Sequence, residues 1–201
     1  FKNLGLPAPG QYGFTKNQSI KIPIFITTQM LEQANVTQTE LRVLFSDYRR
    51  AFDAVDPVTG KLLAKMRYGI SQEVSLRERK RDEAIEGEIP IAAGLCSKFT
   101  GSRMKRVAGY CQGGARAGEA WKQVIDLNVC AHEEHHEGVP AVYHDEWGNA
   151  VEYHGHWYAD DPTLFCGDTK NVEARVKTDD DWSHFAGVSI AAHKGHYLIN
   201  K

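Results

Sequence analysis

The chain has 201 residues, of which 42% are hydrophobic and 25% charged, and its net charge is −2. These values exclude a disordered or fibrous protein and fit one globular domain with a real core. No apolar run approaches the roughly 18 residues that a membrane-spanning helix requires, so we expect one soluble domain over residues 1–201.

The charge is divided unevenly along the chain. Residues 1–125 carry 19 Lys/Arg and 12 Asp/Glu, a net +7, whereas residues 126–201 carry 5 and 14, a net −9. If the two halves occupy different faces, the molecule is a dipole that suits association with its own copies or with other protein subunits. If the halves interleave in space, the charges cancel locally.

The N-terminal third predicts an irregular arm, a strand and a helix. Residues 1–18 are rich in Gly and Pro, which is typical of an irregular arm. Isoleucines alternate over 19–27 and predict a strand. Thr37 and Glu40 fit a capping box. Apolar residues then recur at helical spacing and predict one clear amphipathic helix over about 38–54: Leu41, Leu44, Phe45, Tyr48 and Phe52.

Short strands predominate in the rest of the chain, which predicts an α+β fold with mostly antiparallel strands. The apolar patterns over 172–177 and 187–192 predict two of them. Gly148-Asn149 is a favoured two-residue turn and predicts a hairpin over 139–158.

A basic, glycine-rich loop over 98–122 contains one acid, Glu119. Cations that neutralise phosphates, interleaved with aromatic rings that stack on bases, are what a nucleic-acid groove requires. An acidic protein partner would suit the same surface. The contact residues predicted for nucleic acid or such a partner are Lys98, Arg103, Lys105, Arg106 and Arg116.

Residues 132–136 read His-Glu-Glu-His-His and match the H-E-x-x-H pattern. On a helix, His132 and His136 would lie one turn apart and bind one Zn²⁺, with Glu133 as the catalytic base of a hydrolase. In a strand the two imidazoles would lie about 13 Å apart and could not share a metal ion. The alternation over 124–130 favours a strand, but a helix could begin near residue 131.

The hairpin offers a second set of metal ligands. With a turn at Gly148-Asn149, Asp145 lies opposite Glu152 and Tyr143 opposite His154. One face then combines candidate ligands for zinc or another divalent ion, and the alternative is a solvated polar face. The candidates are Asp145, Glu152, His154 and His156.

Three functions remain open. We favour a non-catalytic structural subunit of a larger complex or particle, which associates through its oppositely charged faces, because the sequence carries no complete catalytic signature. The alternatives are a zinc-dependent hydrolase that uses the 132–136 motif and a nucleic-acid-binding protein that uses the 98–122 loop.

Overall fold

The computed structural model describes residues 7–56, 65–71, 73–74, 76–77, 117–134 and 137–200, and the backbone of 86–87 and 104–105. The helices are α1 (Lys21–Thr37), α2 (Ala51–Ala54), α3 (Ala117–Glu134) and α4 (Thr169–Ala186), with a 3₁₀ helix at Ala192–Lys194. Among the described residues, no helix is long and apolar enough to cross a membrane.

The strands are short and all their pairings are antiparallel, which confirms the α+β class. In chain order they are β1 (Leu41–Phe45), β2 (Tyr48–Arg49), β3 (Glu86–Gly87), β4 (Met104–Lys105), β5 (Val142–His144), β6 (Ala150–Glu152), β7 (Gly155–Tyr158), β8 (Asp161–Cys166), β9 (Ser189–Ile190) and β10 (His196–Asn200). The main sheet has the order β10-β1-β8-β7, and β2-β9, β3-β4 and β5-β6 form two-stranded ribbons.

The core lies where α3 and α4 pack on this sheet. Trp121 of α3, Trp157 of β7 and Trp182 of α4 are buried in one apolar cluster. Burial of such large aromatic side chains contributes about 2–3 kcal/mol each. The tight packing fixes the positions of β7 and of the segment that follows β1.

Residues 124–130 belong to helix α3, which decides between the two alternatives that the sequence left open. Val124, Ile125, Leu127 and Val129 are all buried. Asp126 and Asn128 between them are 0% exposed as well, so the alternation of apolar and polar residues reflects buried polar groups of a helix that is surrounded by protein, and not a solvent-facing side of a strand. His132 lies on the buried side, as predicted for the helical case.

The predicted helix over about 38–54 is wrong. The structure has β1, β2 and the four-residue α2 in this range. Leu41 and Val43 are 4% and 0% exposed, so the buried side chains follow a period of two between the neighbouring strands β8 and β10. The helical spacing was coincidental, because it omitted Val43.

Two predicted strands are also wrong. Residues 19–27 lie largely in α1, where Pro23 occupies the first turn, a position that needs no amide donor. Ile22 and Ile24 are exposed there, so their alternation reflects no buried face. Residues 172–177 lie in α4, which begins where the Asp168 side chain accepts a hydrogen bond from the Asn171 amide at 2.7 Å.

The hairpin prediction is confirmed in part. Residues 142–144 pair with 150–152, but His144 lies opposite Ala150, which leaves a five-residue connection. Asp145 explains the difference, because its carboxylate accepts amide hydrogen bonds from Trp147 and Asn149 and so forms its own turn. Residues 155–158 leave the hairpin and pair with β8 instead.

Candidate active site

Three aspartates converge at one end of the main sheet. Asp160 lies in the tight turn between β7 and β8, and Asp161 is the first residue of β8. Asp47 follows β1, which pairs with β8, and the amide of the preceding Ser46 donates to the Pro162 carbonyl at 3.1 Å. Adjacent antiparallel strands therefore bring Asp47 to the turn that carries the other two carboxylates.

The turn itself holds an unfavourable backbone conformation. Ala159 has φ 59°, in the left-handed region that costs an L-residue roughly 1–2 kcal/mol. Gly13 lies against it so closely that an added Cβ would be 2.0 Å from the Ala159 nitrogen. Two further contacts fix the turn, since the Trp121 indole donates to the Ala159 carbonyl and the Tyr12 amide to that of Trp157, both at 2.9 Å. Strain that is held in place by packing is often found at functional sites.

The three carboxylates repel one another. Burial, followed by the charge of Asp47, raises the pKa of Asp160 above its usual value. Burial, with the charges of Asp160 and Asp47, raises the pKa of Asp161 as well. The site therefore concentrates negative charge that a cation would stabilise.

Lys194 supplies one such cation. Its Nζ forms an ion pair with Asp47 Oδ2. Its positive charge partly offsets the rise in the pKa values of Asp160 and Asp161. Lys194 ends the 3₁₀ helix, and Ala191 directly precedes that helix. The Ala191 amide donates to the Asp47 carbonyl at 2.8 Å, so the helix is held where the ammonium group lies beside the carboxylates.

A cleft of about 430 Å³ opens at this point. Asp47 and Asp160 line it together with the cationic side chains of Arg49, Arg50 and Lys194. This size falls within the range of small-molecule sites, and the mixture of carboxylates and cations suits a polyanion bound with metal ions.

The H-E-x-x-H motif does not form an open site in the described residues. His132 is 0% exposed and lies 3.5 Å from Asp179, whereas Glu133 lies 3.7 Å from His154 Nε2. Its third member, His136, lies outside the described residues, so zinc binding by the motif stays a prediction.

The hairpin candidates contact different elements. His154 accepts a hydrogen bond from Arg175 of α4, while His156 contacts Thr27 of α1 at 3.5 Å. Glu152 pairs with Val142, so it does not face Asp145 as expected. Among the described ranges, no three His, Cys, Asp or Glu side chains are arranged to hold one metal ion as they stand.

The predicted nucleic-acid contacts are not tested by this structure. Lys98, Arg103, Arg106 and Arg116 lie outside the described residues, and Lys105 is described only through its backbone in β4.

Asp47, Asp160 and Asp161 were not among the site residues predicted from the sequence. The available signal was the pair Asp160-Asp161 between two apolar runs, 155–158 and 162–166. Two adjacent carboxylates between strands with buried side chains repel each other, so their charges are unfavourable unless a cation or hydrogen bonds stabilise them. The partner Asp47 was hidden in the segment that we interpreted as helix.

No protein-family model matches the chain, and no curated protein resembles it in sequence. Solved structures do resemble its fold. One is apo telomerase from Candida tropicalis, truncated from its C-terminal domain, with a TM-score of 0.57 and 10% identity over 96% of this chain and 36% of that one. Another is telomerase from Candida tropicalis in complex with a TWJ fragment of telomeric RNA, with a TM-score of 0.59 and 10% identity over 98% and 31%. This chain thus spans about a third of the telomerase chains whose fold it shares.

Proposed function

We propose that this chain adds nucleotides to the end of a nucleic acid strand, as a metal-dependent nucleotidyl transferase of the polymerase type. The observation that carries the proposal is the convergence of Asp47, Asp160 and Asp161 beside a cleft of the right size for a nucleoside triphosphate. The shared fold with a telomerase chain solved with RNA supports nucleic acid as the partner.

The donor set fits magnesium better than zinc. Mg²⁺ takes oxygen ligands and keeps several waters, so it binds through one or two carboxylates together with the substrate's phosphates. This preference agrees with carboxylates that do not by themselves enclose an ion. Bound at Asp47, Asp160 and Asp161, divalent cations would neutralise phosphate charge and acidify the attacking hydroxyl group.

The chain's own residues orient the reactants. Arg49, Arg50 and Lys194 supply positive charge to the cleft, where they would bind the triphosphate oxygens. In the reaction, the terminal hydroxyl oxygen of the strand forms a bond with the α-phosphorus. The bond from that phosphorus to the bridging oxygen breaks, pyrophosphate leaves, and the hydroxyl proton passes to solvent.

A primer-extension assay tests the proposal directly. The chain is incubated with a labelled primer on an RNA or a DNA template, nucleoside triphosphates and Mg²⁺ or Mn²⁺. We expect extension by the wild-type chain and a loss of more than about 100-fold in Asp47→Asn and Asp160→Asn, since even outer-shell partners of metal ligands cost 10- to 100-fold.

Asp181→Asn is the matched control, because Asp181 is an exposed carboxylate of α4 that pairs with Lys177. It should extend the primer at the wild-type rate. Wild-type chain that extends neither template with either ion, or Asp47→Asn with full activity, would refute the proposed reaction.

A non-catalytic subunit of an RNA-containing assembly is the second candidate. It is supported by the telomerase complex with RNA, of which this chain spans only 31%. The uneven charge of the two halves supports it as well. Under this alternative, the chain binds RNA without extending a primer, and Asp47→Asn and Asp160→Asn leave RNA affinity unchanged or raise it.

A further inference from the structure

One buried carboxylate lies behind the candidate active site. Asp179 of α4 is 2% exposed and has partners from two other segments, residues 46–48 and α3. It accepts hydrogen bonds from Tyr48 at 2.5 Å, from Asn128 at 2.9 Å and from Ser46 at 3.3 Å. The His132 imidazole lies 3.5 Å away.

Two of these partners flank Asp47. Ser46 and Tyr48 both direct their hydroxyl groups to Asp179, although they stand on either side of the aspartate that lines the cleft. Side chains alternate along an extended segment, so fixing residues 46 and 48 on the inner side directs the side chain of residue 47 outward. Asp179 thereby holds both chain neighbours of Asp47.

A second connection leads to the other two aspartates. Asn128 donates to Asp179 and accepts a hydrogen bond from the Trp157 indole at 2.8 Å. Trp157 belongs to β7, whose last residue precedes the turn that carries Asp160. One carboxylate is therefore connected to the segment that contains Asp47 and to the strand that precedes Asp160 and Asp161.

Asp179 is held as a charged group despite its burial. Burial alone raises its pKa, but the hydrogen bond and charge of His132, with the hydrogen bonds of Tyr48 and Asn128, outweigh that effect and lower the pKa. A buried carboxylate is costly unless its hydrogen bonds are satisfied, and replacing it by apolar packing is often neutral. Its position therefore calls for a role beyond stability.

We infer that Asp179 is a positioning residue, which holds the Asp47 segment beside the Asp160–Asp161 turn, where the aspartates would bind metal ions together with the substrate's phosphates. The inference rests on the proposed function, because it assigns a task to the three aspartates. If the role of Asp179 were merely structural, its substitution would lower the free energy of unfolding and leave the metal affinity of the folded chain unchanged.

The test compares variants of the full chain by three measurements: urea unfolding, Mn²⁺ binding by calorimetry, and amide hydrogen exchange. Asp179→Asn should weaken Mn²⁺ binding about 10- to 100-fold at a temperature where the variant is folded. Tyr48→Phe removes only one hydroxyl group and should weaken it less. This milder variant keeps the test valid if Asp179→Asn does not fold.

Each variant has a matched control. Asp126 is a carboxylate of α3 with 0% exposure that accepts from the Ala8 amide at 2.6 Å and pairs with Arg67, away from the cleft. Asp126→Asn should lower stability yet leave Mn²⁺ affinity at the wild-type value. Tyr153→Phe, which removes a hydroxyl group near His156, is the control for Tyr48→Phe.

Hydrogen exchange separates this inference from the proposed function. Asp179→Asn should accelerate exchange of the Ser46 and Ala191 amides, which bond to Pro162 and Asp47, more than Asp126→Asn does. That measurement needs neither metal nor nucleotide. Equal exchange in the two variants, or equal losses of Mn²⁺ affinity, would overturn the positioning role. A wild-type chain that binds Mn²⁺ but extends no primer would refute only the proposed reaction.

Discussion

The indole Nε1 of Trp121 donates a hydrogen bond to the carbonyl oxygen of Ala159 at 2.9 Å. Trp121 is 0% exposed and packs with other aromatic rings of the core, so its position is fixed. Ala159 is the strained residue directly before Asp160. The contact therefore connects the rigid core to the turn that presents two of the three aspartates.

Trp121→Phe removes this donor while it keeps an aromatic ring in the core. We expect the free energy of unfolding to fall by about 1–3 kcal/mol, because the Ala159 carbonyl loses its partner and the smaller ring leaves space. Trp182→Phe is the control, since no hydrogen-bond partner of its buried Nε1 is found among the described residues. Urea unfolding should show the smaller loss for Trp182→Phe, and equal losses would contradict a role for the hydrogen bond.

Ala159→Gly should stabilise the protein. Glycine adopts a positive φ without steric cost, so the substitution relieves strain that exceeds the entropy lost by glycine, for a net gain of about 0.5–1 kcal/mol. Ala174→Gly, in the middle of α4, should instead lose about 1 kcal/mol. Thermal unfolding of both variants measures the two signs, and a loss at both positions would show that the turn is not strained.

Lys194→Met should tighten the binding of divalent cations if the aspartates hold them. The ammonium group that pairs with Asp47 competes with an added cation, and its removal also raises the repulsion among the carboxylates. An exposed ion pair is weak and screened by solvent, so we expect a gain of only about 2- to 5-fold in Mn²⁺ affinity. Lys177→Met, which removes an exposed lysine on α4, is the control for calorimetry. Unchanged or weaker binding in Lys194→Met would argue against metal ions at these carboxylates.

The sequence predicted the fold class and the antiparallel hairpin, because both depend on local turn chemistry and composition. The predictions of individual helices and strands were wrong where contacts with neighbouring elements, and not local spacing, determine the structure. Residues 41–45 satisfy a helical spacing and a strand spacing equally well, and only their place between β8 and β10 selects the strand. The isoleucines of α1 show the opposite case, because they alternate as in a strand although they are exposed on a helix.

The candidate site was missed for a related reason. Asp47 and Asp160 are 113 positions apart in the chain, and antiparallel pairing of β1 with β8 brings their segments together. The predicted helix over 38–54 hid that pairing. The spacing of the histidines predicted metal ligands, but the structure buries His132 and His156, which contact Asp179 and Thr27.

The burial of His156 predicts a pH dependence of stability. Its environment lowers the pKa of the imidazole from 6.5 to about 4, because burial disfavours the charged form. Between these two values the unfolded chain binds the proton more readily, so the contribution of His156 to the free energy of unfolding falls as the pH falls from about 6.5 to 4 and is constant below it. The slope contributed by this residue reaches about 1.4 kcal/mol per pH unit.

His156→Asn, which cannot take up the proton, should flatten the dependence measured by urea unfolding. His184→Asn, at an exposed position on α4, should leave the dependence as in the wild-type chain. If the wild-type chain and His156→Asn lose stability in parallel, the titration belongs to other groups.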